Sequence, residues 1–151
     1  MPWHPRDTAP ALLQPVPSQA DLTGATEPAM HKAASAGDAE TMRTLLEKGL
    51  NPDSRDFDGR TPLSLAALAG KIDAVRVLVE NGADLNSRDR DGRTPLMVAA
   101  LNGHEPVVST LVRAGANVFF RDNGGDSALI FAAFNGHRKV AAILREVGAH
   151  E

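Results

Sequence analysis

Asp58-Gly59-Arg60-Thr61-Pro62-Leu63 is repeated as Asp91-Gly92-Arg93-Thr94-Pro95-Leu96, 33 residues further along the chain. A weaker copy, Gly124-Gly125-Asp126-Ser127-Ala128-Leu129, follows after the same interval. Alanine pairs and two sets of glycines share this register: Ala33-Ala34, Ala66-Ala67, Ala99-Ala100 and Ala132-Ala133; Gly37, Gly70, Gly103 and Gly136; Gly49, Gly82, Gly115 and Gly148. A fixed period of this size indicates a solenoid, because each unit needs its neighbours to bury its apolar face.

The segment from Asp89 to Gly115 shows what one unit contains. Thr94 is a good helix N-cap, and Pro95 suits the first helical position, where its missing N–H costs nothing. Gly103 ends this short helix, and a second helix begins after it and ends at the C′ glycine Gly115. The polar, turn-rich segment that follows is too short for a helix and predicts a projecting hairpin-like loop.

These residues resemble the ankyrin repeat family. Its pattern is present at Gly92, Thr94-Pro95-Leu96, Ala99-Ala100, Gly103-His104 and Gly82-Ala83-Asp84. The resemblance covers residues 26 to 149 approximately and implies an all-α ankyrin-repeat solenoid, in which stacked helix-turn-helix units are joined by projecting hairpin-like loops. The family's histidine after Thr-Pro-Leu is replaced in three repeats, by Ser64, Met97 and Ile130, and is present only as His31 in the first.

The domain organisation that we predict is a tail followed by one repeat domain. Residues 1–24 contain Pro2, Pro5, Pro10, Pro15 and Pro17, so we expect neither helix nor sheet but a disordered tail. The alternative is that Trp3 or Leu12-Leu13 docks onto the first repeat or a partner. The ankyrin-repeat domain spans 25–151, with repeats at approximately 25–57, 58–90, 91–123 and 124–151.

Both ends of the stack have the features of capping repeats. The first lacks the Thr-Pro-Leu box, and the last places Arg145 where the two preceding repeats have Val79 and Val112. A solenoid needs polar terminal faces, since its outermost units meet water. Four repeats with both caps favour a monomer.

Composition limits the classes of function. The net charge of −3 gives no reason to expect nucleic acid or a lipid surface as the partner. No apolar run is long enough to span a membrane, and no secretory signal is recognisable, so a cytoplasmic location is expected. The absence of cysteine excludes thiolate chemistry and disulfides.

Candidate chemical sites do not hold up. The two Ser-Arg-Asp segments at 54–59 and 87–92 superficially echo a calcium loop, but the twelfth-place glutamate is replaced by Leu65 and Val98. His104 and His137 have no third ligand that could complete a zinc site, so we expect a structural role for them. Ser127 has no base beside it. We therefore predict no catalytic residue, no metal, no cofactor and no enzyme activity.

Partner binding is expected at positions that the repeat does not need for itself. The resemblance places these at the hairpin tips and on the exposed face of each first helix, which line a concave groove. The predicted partner-binding residues are Phe57, Arg60, Leu68, Arg90, Arg93, Leu101, Asn102, Asn123, Phe134 and Asn135. Leu68, Leu101 and Phe134 share one repeat position, and either form an exposed apolar strip or lie partly buried against the neighbouring helix.

Arg55, Arg88 and Arg121 form a ladder at the same spacing, and Arg60 and Arg93 form a shorter one. Two interpretations remain open at this point. The arginines form a basic edge for an acidic peptide, or neighbouring aspartates neutralise them: Asp56, Asp58, Asp89, Asp91 and Asp122.

The function predicted from these features is a non-catalytic protein–protein interaction module that binds a protein partner of unknown identity through its concave groove and hairpin tips. The alternative is a small inhibitor or immunity-like regulator that blocks a partner enzyme. Catalysis is the third possibility, and no credible constellation of residues supports it.

Overall fold

A computed structural model of the chain describes residues 19–149. Its helices alternate between a first and a second helix of four successive units, joined by turns and loops. The helices are α1 (Gln19–Ala36), α2 (Ala39–Glu47), α3 (Pro62–Ala69), α4 (Ile72–Glu80), α5 (Pro95–Leu101), α6 (Glu105–Arg113), α7 (Ala128–Phe134) and α8 (Arg138–Glu146). The predicted all-α solenoid of stacked helix-turn-helix units is confirmed.

The first helices of the last three repeats begin as the sequence predicts. The hydroxyl oxygens of Thr61, Thr94 and Ser127 accept the backbone N–H three residues later, at 3.2, 3.3 and 3.2 Å. Pro62 and Pro95 occupy the first turn, where no N–H is needed. These caps satisfy one of the donors that a helix start would otherwise leave unpaired inside the stack.

Helices of the same kind stack along the solenoid. The first helices α1, α3, α5 and α7 contact one another in sequence, as do the second helices α2, α4, α6 and α8. The paired alanines Ala66-Ala67 and Ala99-Ala100 are fully buried between the first helices, so the backbones approach closely. Leucine and valine side chains of the second helices complete one continuous core.

The predicted structural histidines join successive repeats. Nε2 of His104 lies 2.9 Å from the carbonyl oxygen of Leu68, and Nε2 of His137 lies 2.9 Å from that of Leu101. Both carbonyls are at the ends of first helices, where no partner exists within the helix. The His104 ring packs against Gly70, which has a φ of +72° and no side chain to block it.

The predictions for the two ends of the repeat domain have different outcomes. Arg145 is exposed, whereas Val79 and Val112 are half-buried, as a terminal face requires. Helix α1 begins at Gln19, so the prediction that no helix forms in residues 1–24 is wrong for the last six of them. The early prolines end at Pro17, and from Gln19 to Glu27 every residue has an N–H for helix formation. The 24/25 boundary itself stays a prediction, while Trp3 and Leu12-Leu13 lie outside the described residues.

Substitutions at Ser64 and Thr61 should shift stability in opposite directions. His31, at the position equivalent to Ser64, donates from Nε2 to the Ser54 carbonyl oxygen at 3.0 Å, whereas Ser64 Oγ is buried with no hydrogen-bond partner among the described residues. Ser64→Ala should raise the free energy of unfolding by about 1 kcal/mol, because it removes that orphan and favours the helix. Thr61→Ala should lower it by about 1 kcal/mol through loss of the cap. Urea unfolding followed by circular dichroism measures both, and a destabilising Ser64→Ala would contradict the assignment.

Two glycines with the same backbone conformation should differ in their tolerance of alanine. Gly70 and Gly82 have φ of +72° and +78°. A Cβ at Gly70 would lie 2.6 Å from Nδ1 of His104, whereas at Gly82 it would meet nothing within 4 Å. Gly82→Ala should cost about 1–2 kcal/mol of strain, and Gly70→Ala about 1–3 kcal/mol more. Equal losses in thermal and urea unfolding would show that the histidine contact is not limiting.

Candidate functional site

Two adjoining depressions lie between the hairpin loops and the first helices. The first has a volume of about 440 Å³, and the second about 340 Å³. Leu101 lines both, so together they form one surface, called here the groove. The first is lined by Asp58, Arg60, Leu68, Asp89, Arg90, Asp91, Arg93, Val98 and Leu101, and the second by Leu101, Asp126, Ile130, Phe131, Phe134 and Asn135.

The apolar residues of the groove are unequally exposed. Leu68 and Leu101 are half-buried and pack against the core, as one of the two interpretations of the apolar strip requires. Phe134, at the same repeat position, is 89% exposed, as the other interpretation requires. Among the described helices, α5 packs on α3 and α7 packs on α5, whereas no first helix packs on the far side of α7.

Each of the three hairpin tips is built around an aspartate. Asp56 Oδ1 accepts the backbone N–H groups of Asp58 and Arg60, both at 2.9 Å. Asp89 and Asp122 make the equivalent pairs of bonds, at distances between 2.8 and 3.0 Å. Consecutive tips are also joined through their backbones, since the N–H of Arg90 donates to the Asp58 carbonyl oxygen at 3.0 Å. The groove wall is therefore fixed by hydrogen bonds.

Among the described residues, the longer arginine ladder is not neutralised by aspartates as the second interpretation predicted, while its role as a basic edge for an acidic peptide stays a prediction. Arg55 donates to the carbonyl oxygen of Arg88, and Arg88 donates in turn to that of Arg121 at 3.0 Å. Arg121 donates to the Gly125 carbonyl oxygen at 2.8 Å. These guanidinium groups connect successive hairpins through backbone carbonyls. In the described part of the chain, none of the three forms an ion pair with an aspartate.

The shorter ladder does pair with aspartates, as the second interpretation predicted. Arg60 lies 3.2 Å from Asp56 and 3.0 Å from Asp58, and Nε of Arg93 lies 3.4 Å from Asp122. Arg93 also stacks over the Phe131 ring, 5.1 Å from its centre. By contrast, the guanidinium of Arg90 forms no hydrogen bond or ion pair with any residue from 28 to 149.

The remaining predicted residues divide between the groove and the stack. The side-chain amides of Asn102 and Asn123 donate at 2.9 Å to the carbonyl oxygens of Leu68 and Arg90, each one repeat earlier, so they stabilise the stack. Asn135 lines the second depression, with its amide bonded to the Phe131 carbonyl oxygen at 2.8 Å. Phe57 is 90% exposed at its hairpin tip and lies in neither depression. The groove thus brings together Arg60, Leu68, Arg90, Arg93, Leu101, Phe134 and Asn135.

A sequence model of the family described as "Ankyrin repeats (3 copies)" matches residues 5–89 and 82–150. The chain belongs to the ankyrin repeat family. The match begins at residue 5, within the segment predicted to be a disordered tail. No match was found among curated proteins. Ankyrin repeats are generally protein–protein interaction modules and are typically non-catalytic.

The ankyrin stack also contains groove residues outside the set of predicted partner-binding residues. Val98 and Ile130 contribute to the apolar floor, and Asp126 contributes a carboxylate. Comparison of the repeats carries a signal for Asp126, because it stands in register with Arg60 and Arg93 and has the opposite charge. Over residues 28–149 we find no group of three or more His, Asp or Glu side chains placed to hold a metal ion, and none of the described helices is suited to cross a membrane.

The hairpin geometry changes the acidity of Asp56. Partial burial acts to raise the pKa of this carboxyl, but the backbone donors Arg60 and Asp58 and the Arg60 guanidinium outweigh it and hold the pKa below its usual value. A lowered folded-state pKa contributes stability that is fully present above the unfolded-state pKa of about 4 and is lost as the pH falls through the folded-state value.

Asp56→Asn should therefore weaken the ankyrin domain at neutral pH by about 1 kcal/mol, and this difference should shrink between pH 5 and pH 2. The reason is that the wild-type carboxylate becomes protonated over that range and loses its advantage. Urea unfolding at a series of pH values measures the difference. Asp73→Asn, at a side chain that is 75% exposed, is the matched control. A wild type–variant gap that is the same at every pH would refute the assignment.

Proposed function

We propose that this ankyrin domain is a non-catalytic module that binds a protein partner through the groove and the adjacent hairpin tips. The observation that carries the proposal is Phe134, a large apolar side chain that is 89% exposed in a depression whose walls are otherwise held by the stack. Large exposed apolar side chains in a concave surface with a polar rim are typical of protein interfaces.

The rigidity of the groove supports the same proposal. Its wall consists of hairpins bonded to their own aspartates and to one another, and its floor consists of helices packed on a continuous core. A surface that is already ordered loses little conformational entropy on binding, so more of the contact free energy appears as affinity.

Phe57, Arg90 and Asn123 occupy equivalent positions at the three hairpin tips. We propose that Phe57 and Arg90 extend the contact surface from the groove along the tips.

The cellular setting that we propose is a monomer in the cytoplasm, with a protein and not a nucleic acid as partner. The mild net charge of −3 supports the choice of partner. A role as inhibitor or immunity-like regulator is a narrower form of the same proposal. It requires that the partner be an enzyme whose activity falls in proportion to the complex formed.

Phe134→Glu should reduce partner capture about 10-fold or more, since burial of an exposed phenylalanine contributes about 1.5–3 kcal/mol. The measurement is recovery of proteins from a lysate of the source cells on immobilised full-length chain. Val147→Glu is the matched control, because Val147 is an exposed apolar residue outside the groove. Circular dichroism verifies that both variants fold. Equal recovery by the wild type and both variants would remove the groove as the binding site.

A further inference from the structure

The groove wall reverses its charge in the last repeat. Arg60 and Arg93 occupy one repeat position in the second and third repeats, and Asp126 occupies it in the fourth. The two arginines are engaged in ion pairs with Asp56, Asp58 and Asp122. An aspartate at this position cannot form the ion pairs with hairpin aspartates that Arg60 and Arg93 form.

The main chain of Asp126 is fixed while its carboxylate is unengaged. Its N–H donates to Asp122 Oδ1 at 2.8 Å, and its carbonyl oxygen accepts the N–H of Asp122 at 2.9 Å. Within the described chain, the carboxylate of Asp126 forms no hydrogen bond or ion pair with another residue. The backbone bonds thus place a negative charge at the wall of the second depression, and this charge takes no part in the contacts between the described residues.

The rest of the second depression is apolar. Leu101, Ile130, Phe131 and Phe134 line it, and the side-chain amide of Asn135 is already bound to the Phe131 carbonyl oxygen. Its volume of about 340 Å³ lies at the lower end of the range for ligand pockets. The first depression differs, since three arginines and three aspartates line it. A single carboxylate beside an apolar pocket is therefore specific to the last repeat.

We propose that the second depression binds a bulky apolar side chain of a partner polypeptide segment, and that Asp126 pairs with a lysine or arginine adjacent to it in that segment. This inference rests on the proposed function and names the chemistry of its ligand. Charge complementarity decides between ligands. An acidic segment would be repelled by Asp126, and an uncharged apolar segment would cover the carboxylate without pairing it.

The test begins with a phage-displayed library of random peptides selected on the full-length chain. Selected peptides should contain a bulky apolar residue next to lysine or arginine. Their affinity should fall about 3-fold for Asp126→Asn and about 10-fold for Asp126→Arg, and it should also fall as salt is raised. Asp126→Arg introduces the residue that the second and third repeats have at this position, Arg60 and Arg93, so the fold should tolerate it. Circular dichroism verifies that the variant folds.

A charge exchange makes the assignment specific. A selected peptide whose adjacent basic residue is replaced by glutamate should bind Asp126→Arg better than it binds the wild type, so the two changes compensate in a double-mutant cycle. Asp73→Arg makes the same charge reversal on α4, whose residues do not line the groove, and should leave the affinity unchanged.

The outcomes separate this inference from the proposed function. Peptides that Phe134→Glu weakens but that bind the wild type and Asp126→Arg equally would overturn the role of Asp126 and leave the groove as the binding site. Selected peptides whose affinity changes with neither Phe134 nor Asp126 would overturn both, as would a library from which nothing is enriched over the bare support.

Discussion

The fold depends on hydrogen bonds that side chains of one repeat make to backbone carbonyls of its neighbour. The Leu68 carbonyl, at the end of a first helix, accepts both the Asn102 amide and the His104 ring nitrogen, each at 2.9 Å. At the opposite edge, Arg88 donates to the Arg121 carbonyl. Helix ends and hairpins have carbonyls without a partner in their own repeat, so these bonds both pair the carbonyls and join each repeat to the next.

A groove made in this way is ordered before any partner arrives. Each hairpin is bonded to its own aspartate and to its neighbours. Successive first helices pack against each other through their buried alanines. Side chains that take part in these bonds are not available for recognition. Besides side chains that the stack already uses, the groove presents others that it does not use, among them Phe134, Arg90 and Asp126.

The sequence allowed much of the fold to be predicted, because its signals are local and repeated. Thr61 and Thr94 cap helices, and glycines with positive φ end them, in ways that depend only on nearby backbone. The use of Arg55 and Arg88 could not be predicted in the same way. An aspartate near an arginine is visible in a sequence, but a backbone carbonyl one repeat away leaves no mark on it. Proline spacing also misled at Gln19, where α1 begins despite the prolines before it.

The groove itself was less predictable, since exposure depends on what the next repeat covers. Leu68 and Leu101 share a repeat position with Phe134, yet a neighbouring helix half-buries the two leucines and leaves the phenylalanine exposed. All three side chains are large and apolar, so hydrophobicity alone does not predict which of them is exposed. The position in the stack does, and it follows from the order of the repeats only once their packing is known.

Comparison of the repeats with one another shows which hairpin positions are kept and which change along the stack. Two hairpin positions whose side chains serve the stack are the same in all three hairpins: Arg55, Arg88 and Arg121, and likewise Asp56, Asp89 and Asp122. At another position, which lines the groove, the last repeat differs from the two before it: Arg60 and Arg93 are followed by Asp126. A stack of equivalent units requires equivalent bonds between them, but it does not constrain what each unit presents to a ligand. The groove is therefore directional along the solenoid, with paired arginines towards one end and, at the other, a carboxylate that no described residue pairs, beside an apolar pocket. The two orientations of a segment bound as we propose would differ in the charges that they meet.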